Sequence, residues 1–201
     1  METIDLDLPS GNLWCETNLG TEKIGESGKW TAWGNLELHS DKEVEEFTMF
    51  SDDGHDYRFI EGTFITKYNL DDHLNKLEPE DDIATQVLGP EFSVPGKDDF
   101  KELIENTEFS IATFNNNKCA KLKSKINDAE IYFPITGWCA NGKVECTEEG
   151  GVYMTADLTP NPIKAYVALV DGATGELLIS SLGIRLIGLQ VRAIKRKVNE
   201  A

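Results

Sequence analysis

The sequence predicts an α+β fold in which two short helices pack on short, mostly antiparallel strands joined by long loops. Two observations support this prediction. Convincing helical patterns are confined to one stretch near the middle of the chain, and short apolar runs separated by turn residues fill the rest. The 201 residues can bury a hydrophobic core, and they contain no internal repeat, low-complexity segment or linker. We therefore expect a single domain spanning residues 1–201.

Both helices are predicted from their end signals and apolar spacing. The first, Glu80–Leu88, follows Pro79, which suits the first helical position, and it is acidic in its first turn. Gly89-Pro90 ends it. The second, Lys97–Asn106, also begins with acidic residues and carries apolar side chains at helical spacing. That apolar stripe consists of Phe100, Leu103 and Ile104.

Alternating apolar residues and turn residues predict the strands. Glu108–Phe114 and Cys119–Lys125 form a predicted hairpin around asparagines 115–117, because asparagine tolerates left-handed backbone geometry. Asn141-Gly142 predicts another tight turn, and residues 51–54 predict a turn in an acidic hairpin. The remaining predicted strands are Ile4–Leu8, Leu13–Cys15, Val44–Phe50, Tyr57–Tyr68, Ile131–Pro134, Ala165–Val170 and Gly188–Ile194.

The charge balance argues against a nucleic-acid partner. There are 36 Asp+Glu against 19 Lys+Arg, which gives a net charge of −17. Binding to phosphates needs clustered basic side chains, and the only basic cluster is residues 195–197. No apolar run approaches the roughly 18 residues of a membrane span, so we expect no membrane insertion.

No cofactor, metal site or catalytic set is predicted. The acidic loop at residues 52–54 lacks the full spacing of a calcium loop, and solvated side chains explain it better. Neither a nucleophile elbow nor a phosphate-binding glycine loop occurs, and no pair of acids stands out as a glycosidase pair. The cysteines show no zinc-ligand spacing and are expected to be free thiols. They are Cys15, Cys119, Cys139 and Cys146.

Seven segments, in this order and spacing, resemble the FISUMP ("major paralogous") domain family. The family motif Met-Pro-Thr-x-x-Glu-Phe matches Val94–Phe100, with Gly96 in place of the threonine at the expected N-cap. The family's Trp-Ser-Ser-Ser stretch corresponds here to Tyr153–Ala156, and its usual early cysteine corresponds to Thr17. The matching segments are IDLDLPSGNLWCETNLG, KWTAWG, FITKYN, LEPEDDIAT, VPGKDDFKELIEN, IYFPITGW and GLQVRAIK.

The resemblance implies a C-type-lectin-like fold and a non-enzymatic role. Family members occur in surface proteins of anaerobic gut bacteria and in their phages. The first residues, METIDLDLPSG, lack the apolar region of a secretion signal, which favours a phage virion protein, either a head fibre or a capsid decoration. The alternatives are a bacterial cell-surface adhesion domain, if a signal was removed, and a soluble intracellular interaction module. The expected partners are other virion or surface proteins and a host-surface glycan, bound without calcium.

The resemblance also suggests residues for these contacts. C-type-lectin-like proteins generally recognise partners with the loops of their second half. The binding-surface candidates there are Trp138, Asn141, Tyr153, Thr155, Asp157 and Asn161, although core and turn roles are the alternative. An apolar excess between Ala165 and Ile187 predicts either another buried strand pair or a homo-oligomer interface. The interface candidates are Leu177, Leu178 and Ile179.

Five residues are expected to have structural roles. In the resembled fold the first and last strands pair, so Ile4–Leu8 should neighbour Leu189–Ile194. Arg192 would then be buried, and a carboxylate or backbone carbonyls should hold its guanidinium. The two tryptophans of residues 29–34 are interpreted as core residues, with a sugar-stacking platform as the alternative. The structural candidates are Trp14, Trp33, Pro95, Phe100 and Arg192.

Overall fold

A computed structural model describes residues 1–43, 57–62 and 64–197. It confirms an α+β architecture dominated by small antiparallel sheets, with two α-helices in the described residues. The strands are β1 Thr3–Ile4, β2 Leu13–Cys15, β3 Ile60–Glu61, β4 Phe64–Ile65, β5 Phe92–Ser93, β6 Thr107–Phe114, β7 Asn117–Ser124, β8 Glu130–Pro134, β9 Trp138–Ala140, β10 Lys143–Glu145, β11 Gly150–Leu158, β12 Lys164–Asp171, β13 Leu177–Ile184 and β14 Ile194–Lys195. The helices are α1 Ile83–Leu88 and α2 Lys97–Asn106.

Three sheets form most of the structure. One has the order β1-β2-β14-β5 and joins the two ends of the chain to the strand between the helices. The second is β6-β7-β8, and the third is β11-β12-β13. Two further pairs, β3-β4 and β9-β10, are hairpins.

The two ends of the chain lie in one sheet, but the predicted direct pairing of the first and last strands is wrong. Trp14 of β2 lies opposite Ile4 on one side and opposite Ile194 on the other, so β2 separates β1 from β14. The strand Leu13–Cys15 was predicted, but its place between the two end strands depends on tertiary pairing, which its three residues do not specify. The residues before β14 continue this packing: Leu189 pairs with Thr31 in an isolated bridge.

The first predicted helix is interrupted at Asp82. Residues Pro79–Asp81 form a 3₁₀ turn, and α1 begins only at Ile83. Asp82 has extended geometry and caps α1, since its carboxylate accepts hydrogen bonds from the backbone N–H groups of Ala84 and Thr85. The carboxylate also accepts from the N–H of Val94 at 2.9 Å, so it ties the helix to the strand that follows.

The second helix has the predicted bounds, Lys97–Asn106. Gly96 at its N-cap has no side chain to cap the helix, and two aspartates act in its place. Asp99 accepts a hydrogen bond from the N–H of Gly96 at 2.7 Å, and Asp157 from β11 accepts one from the N–H of Lys97 at 2.7 Å. A neighbouring strand therefore supplies the cap that the local sequence lacks.

Two hydrophobic clusters form the core. The first contains Trp33, whose ring packs edge-on against Tyr68 with centroids 4.9 Å apart. The second contains Trp14 and Phe100, whose ring centroids are 5.1 Å apart. Pro95 is also buried, and its carbonyl accepts a hydrogen bond from Ala156 of β11. Trp14, Trp33, Pro95 and Phe100 are therefore all buried in the core.

Local signals predicted the tight turns well. The loop of the β6-β7 hairpin is Asn115-Asn116, with φ angles of 48° and 64°, and that of the β9-β10 hairpin is Asn141-Gly142, with 51° and 71°. Two successive left-handed residues are typical of the turn that suits a twisted hairpin. All four cysteines are free, as predicted.

The long acidic segment after residue 40 is described only in part. The predicted turn at residues 51–54 and the strand before it lie outside the described residues. The strand predicted over Tyr57–Tyr68 is wrong, because this stretch contains the short β3-β4 hairpin. No helix in the described part of the chain is long and apolar enough to cross a membrane.

Candidate binding groove

A groove of about 850 Å³ lies where the turn of the β6-β7 hairpin meets the β9-β10 hairpin. The two hairpins face residues from the first 41 positions of the chain, so segments distant in sequence build its walls. Its lining comprises Glu26, Ser27, Trp30, Asp41, Asn116, Asn117, Lys118, Ile135, Thr136, Val144, Thr147 and Glu148.

Tight turns position the polar side chains of this groove. The left-handed geometry of the β6-β7 loop leaves Asn116, Asn117 and Lys118 exposed at one rim. On the other side Val144 of β10 is half-buried, and Thr147 after that strand is exposed. Recognition groups placed on hairpin turns over a rigid sheet are a common arrangement in binding proteins.

Hydrogen bonds and an ion pair between side chains stabilise the base of the groove. The indole N–H of Trp30 donates a hydrogen bond to the Asp41 carboxylate at 2.8 Å, and Trp30 itself is 1% exposed. The core interpretation of this tryptophan is therefore confirmed, and no open ring face remains for a sugar to stack on. The Glu26 carboxylate is held by Lys23 at 3.1 Å and by the hydroxyl of Thr21.

One polar atom in the groove lacks an internal partner. The hydroxyl oxygen of Thr136 is buried, and no described residue offers it a hydrogen bond. A buried hydroxyl without a partner costs about 1–3 kcal/mol, so such atoms are uncommon in folded proteins. The Thr136 hydroxyl is closed to solvent, so the exposed amides, hydroxyls and carboxylates of the lining are what make the groove suitable for a polar ligand.

Two of the predicted binding residues lie in the core. Tyr153 and Thr155 are each 0% exposed. The phenol of Tyr153 donates to the carbonyl of Pro134 at 2.8 Å, and the hydroxyl of Thr155 donates to the carbonyl of Tyr166 at 2.7 Å. Both side chains are used internally, so neither is available to a partner at the surface.

The other predicted binding residues do not form one site. Trp138 is half-buried against the first cluster, and Asn141 is exposed at the β9-β10 turn, beside the groove wall formed by Val144. Asp157 caps α2, and Asn161 lies in the β11-β12 connection, where it accepts a hydrogen bond from the N–H of Ile163. Only the β9-β10 hairpin among these elements contributes to the groove.

An acidic cluster beside α1 contains a lysine. Glu78, Glu80 and Asp81 bring their carboxylates close enough together to hold a metal ion. The ammonium group of Lys67 lies among them, 2.6 Å from Glu78, 3.4 Å from Glu80 and 2.6 Å from Asp81. Burial alone would lower the pKa of Lys67, but hydrogen bonds to Asp81 and Glu78 outweigh it and raise the pKa. The cluster is therefore an ion-pair network.

Asp81 is the centre of that network. It is 1% exposed, and it also accepts hydrogen bonds from the Tyr68 phenol at 2.7 Å and pairs with Arg58 at 2.7 Å. Burial would raise the pKa of Asp81, but the donors Lys67 and Tyr68 and the charge of Arg58 lower it. In sequence, Asp81 is one of the acidic residues in the first turn of the predicted helix, and its cationic partners lie in a different segment.

Arg185 is a second buried arginine, which no sequence pattern predicted. Arg185 is 1% exposed, and its guanidinium lies over the rings of four aromatic residues at 4.8–5.9 Å from their centroids. It donates to the Tyr57 phenol at 2.7 Å, to the Tyr68 carbonyl at 3.0 Å and to two further carbonyls. Burial raises the pKa of Tyr57 to about 12, so its phenol stays protonated. The four rings are Trp33, Tyr57, Phe59 and Tyr68.

The interface candidates lie on β13, the edge strand of the third sheet. Leu177 is 2% exposed and belongs to the second core cluster. Leu178 is 46% exposed, and Ile179 is half-buried. Of the three side chains, Leu178 is therefore the one most available to a partner.

Comparisons with known proteins returned nothing. No family model matches the chain, and no match was found among the curated proteins or the solved structures.

Proposed function

We propose that this chain is a non-enzymatic binding protein of a phage virion surface, either a head fibre or a capsid decoration. The groove between the β6-β7 and β9-β10 hairpins carries the proposal. It presents side-chain amides, hydroxyls and carboxylates from several segments around an open space, including the exposed hydroxyl of Thr147. Such a lining suits a ligand rich in hydroxyl groups, as a host-surface glycan is.

The C-type-lectin-like fold is part of this proposal. Two helices adjacent in sequence, short antiparallel strands and chain ends that share one sheet support it. So does the order of the segments that resemble the FISUMP family. Within that fold the groove is formed mainly by loops of the second half, where the family resemblance leads us to expect partner contacts.

The location of the protein is tested by fractionating an infected culture. We expect mass spectrometry of purified phage particles to detect the chain at a fixed ratio to the capsid protein. Recovery on the bacterial cell surface would instead support the adhesion-domain alternative, and recovery only in the cytosol would support the intracellular module. Either of these results would overturn the virion proposal.

The role of the groove is tested with Thr147→Val, which removes an exposed hydroxyl of the lining and keeps the shape of the side chain. Because this side chain is exposed, the melting temperature should change little. Binding of the purified protein to host cells should fall by about tenfold, equivalent to the loss of one hydrogen bond of about 1.4 kcal/mol. Unchanged binding by the folded variant would exclude the groove as the contact site.

A matched control separates the groove from the general surface. Glu148→Gln alters an exposed carboxylate that lines the groove, and Glu105→Gln alters an exposed carboxylate on α2 outside its lining. We expect Glu148→Gln to change cell binding and Glu105→Gln to leave it unchanged. Equal effects of both variants would point to net charge and not to the groove.

A further inference from the structure

Asn141-Gly142, the loop of the β9-β10 hairpin, is the only asparagine–glycine step in the 201 residues. The backbone nitrogen of the residue after an asparagine can attack the side-chain amide. Glycine hinders that attack least, because it has no Cβ and reaches the widest range of backbone conformations. The sequence therefore offers one place where the chain can modify itself without an enzyme.

Neither reacting group of this step is held by another residue. Asn141 is exposed, and within residues 1–43, 57–62 and 64–197 no hydrogen bond ties its side-chain amide or the N–H of Gly142. The ladder of the hairpin closes at the pair Ala140 and Lys143, so both groups lie beyond its last rung. The attacking nitrogen and the amide carbon are therefore both free to react.

The glycine step at Asp171-Gly172 has the opposite arrangement. The N–H of Gly172 donates a hydrogen bond to the carbonyl of Glu149 at 2.8 Å. The Asp171 carboxylate accepts hydrogen bonds from the N–H groups of Ala173 at 2.9 Å and Thr174 at 2.7 Å. Both groups are occupied there, so the fold protects that step and leaves Asn141-Gly142 open.

The β9-β10 hairpin can also open at low cost. Its strands, Trp138–Ala140 and Lys143–Glu145, have three residues each, and in the described structure β10 belongs to a sheet with β9 alone. A two-stranded hairpin is marginally stable by itself. Local opening of such a segment gives the loop access to the conformations that ring closure requires.

We propose that Asn141 deamidates spontaneously through a cyclic imide formed with Gly142. The backbone nitrogen of Gly142 attacks Cγ of Asn141, a C–N bond forms, and the Cγ–Nδ2 bond breaks. The proton of the attacking nitrogen leaves with the amide nitrogen as ammonia. Water then opens the imide at either carbonyl carbon and yields aspartate or isoaspartate. The net reaction consumes water and releases ammonia, so it needs no oxidant or reductant.

The product changes the edge of the candidate groove. A carboxylate replaces a neutral amide beside the wall formed by Val144, and it adds a negative charge to a net charge of −17. Isoaspartate also carries its main chain through Cβ, which lengthens a loop of two residues and disturbs the register of the hairpin. The modification does not depend on the role of the groove, whereas its effect on binding rests on the proposed function.

Peptide mapping by mass spectrometry tests the proposal on the full chain, stored in neutral buffer at physiological temperature. We expect the peptide that contains Asn141 to deamidate faster than any other peptide of the protein. The internal control is the exposed run Asn115–Asn117, which includes two left-handed asparagines and no glycine. Equal rates in the two loops would overturn the proposal. Deamidation of Asn141 only after denaturation would do the same, because the fold would then protect it.

Gly142→Asn tests the role of the glycine. It gives the β9-β10 loop the asparagine pair of the β6-β7 loop, whose φ angles of 48° and 64° show that this pair fits such a turn. Deamidation of Asn141 should slow about tenfold, because the new side chain hinders attack and restricts the backbone. The melting temperature should stay near that of the wild type. An unchanged rate in the folded variant would overturn the proposal and leave the groove assays unaffected, because they read cell binding.

Discussion

Arg192 and Arg185 are both buried, yet they connect different parts of the molecule. Arg192, 0% exposed, donates to Asn18 at 2.8 Å and to the carbonyls of Cys15, Glu16 and Tyr132, so it binds the N-terminal strands to the β6-β7-β8 sheet. Neither arginine forms an ion pair with a carboxylate of the described residues. Both instead donate to carbonyls or neutral side chains and lie over aromatic rings.

The difference lies in what each guanidinium holds. Arg192 joins segments that contribute to the central sheets and the second cluster, including the ring of Phe133 at 4.7 Å. Arg185 holds residues 57–68, which contribute Tyr57, Phe59 and Tyr68 to the first cluster but whose described strands, β3 and β4, pair only with each other. Aromatic and carbonyl groups therefore hold one cation among the central sheets and the other between the core and a segment outside those sheets. We therefore expect loss of the Arg192 guanidinium to lower global stability, and loss of the Arg185 guanidinium to open residues 57–68 locally.

Arg192→Met should have the largest effect. It leaves the amide oxygen of Asn18 and three backbone carbonyls buried without a donor, and each such acceptor costs about 1–3 kcal/mol. We expect a loss of about 4 kcal/mol or more in the free energy of unfolding, a large part of the 5–15 kcal/mol typical of a domain. Urea denaturation followed by tryptophan fluorescence measures it.

Arg192→Lys is the control for charge. Lysine keeps the positive charge but cannot reach four acceptors with one ammonium group, so most of the loss should remain. If Arg192→Lys restored wild-type stability, the charge and not the fork of hydrogen bonds would be the stabilising element. A Met variant within about 1 kcal/mol of the wild type would contradict the assignment of Arg192 as a core anchor.

Arg185→Met should have a smaller and more local effect. Its acceptors on residues 57–68 can be rehydrated when that segment detaches, which the acceptors of Arg192 cannot be without opening the central sheets. We expect a loss of about 2–3 kcal/mol, including cation–π contacts worth about 2 kcal/mol when desolvated. Hydrogen exchange should accelerate in residues 57–68 and stay slow in β7 and β11.

The same hydrogen-exchange experiment tests whether the two arginines stabilise different parts of the molecule. Arg192→Met, examined in parallel, should raise exchange throughout the sheets. If Arg185→Met also raised exchange in β7 and β11 to the same degree, residues 57–68 would belong to the global folding unit. The two arginines would then be equivalent anchors.

The range of each interaction explains which features the sequence could predict. Helix α2 was predicted with its observed bounds because its acidic first turn and apolar stripe lie within ten residues. The break at Asp82 was missed because the carboxylate also binds the N–H of Val94, twelve residues later. The burial of Arg192 was predicted from the pairing of the first and last strands that the family resemblance implies. Arg185 was missed because its acceptor Tyr57 is 128 residues away.

The candidate site was harder to predict for a related reason. Tyr153 and Thr155 lie on β11, where burial extends to both faces, so alternation could not separate surface from core positions. The groove itself is assembled from segments near positions 30, 117, 136 and 147, which share no local pattern. Tight turns such as Asn115-Asn116 were readable from sequence, but the space between two turns depends on tertiary packing.

The smallest predicted effect is the acid sensitivity of residues 57–68. The pKa of Asp81 is lowered in the folded state, so its contribution to stability is present above the ordinary carboxyl pKa. That contribution is lost as pH falls through the lowered pKa, because protonation releases Lys67 and Arg58. The pKa of Asp82 is raised by burial, so its contribution has the opposite sign and is lost as pH rises through the folded value.

Segment-resolved hydrogen exchange at neutral and acidic pH measures the contribution of Asp81 to the stability of residues 57–68. After correction for intrinsic exchange rates, residues 57–68 of the wild type should lose protection at acidic pH more than β7 does. Asp81→Asn should show low protection of this segment already at neutral pH and little further loss on acidification, since the buried carboxylate shared by Lys67 and Arg58 is absent at both pH values. Asp98→Asn, which removes an exposed i,i+3 pair on α2, is the control and should keep the wild-type acid response. A variant Asp81→Asn with the full acid response of the wild type would show that other carboxylates hold this segment, and the anchor would then be Arg185 alone.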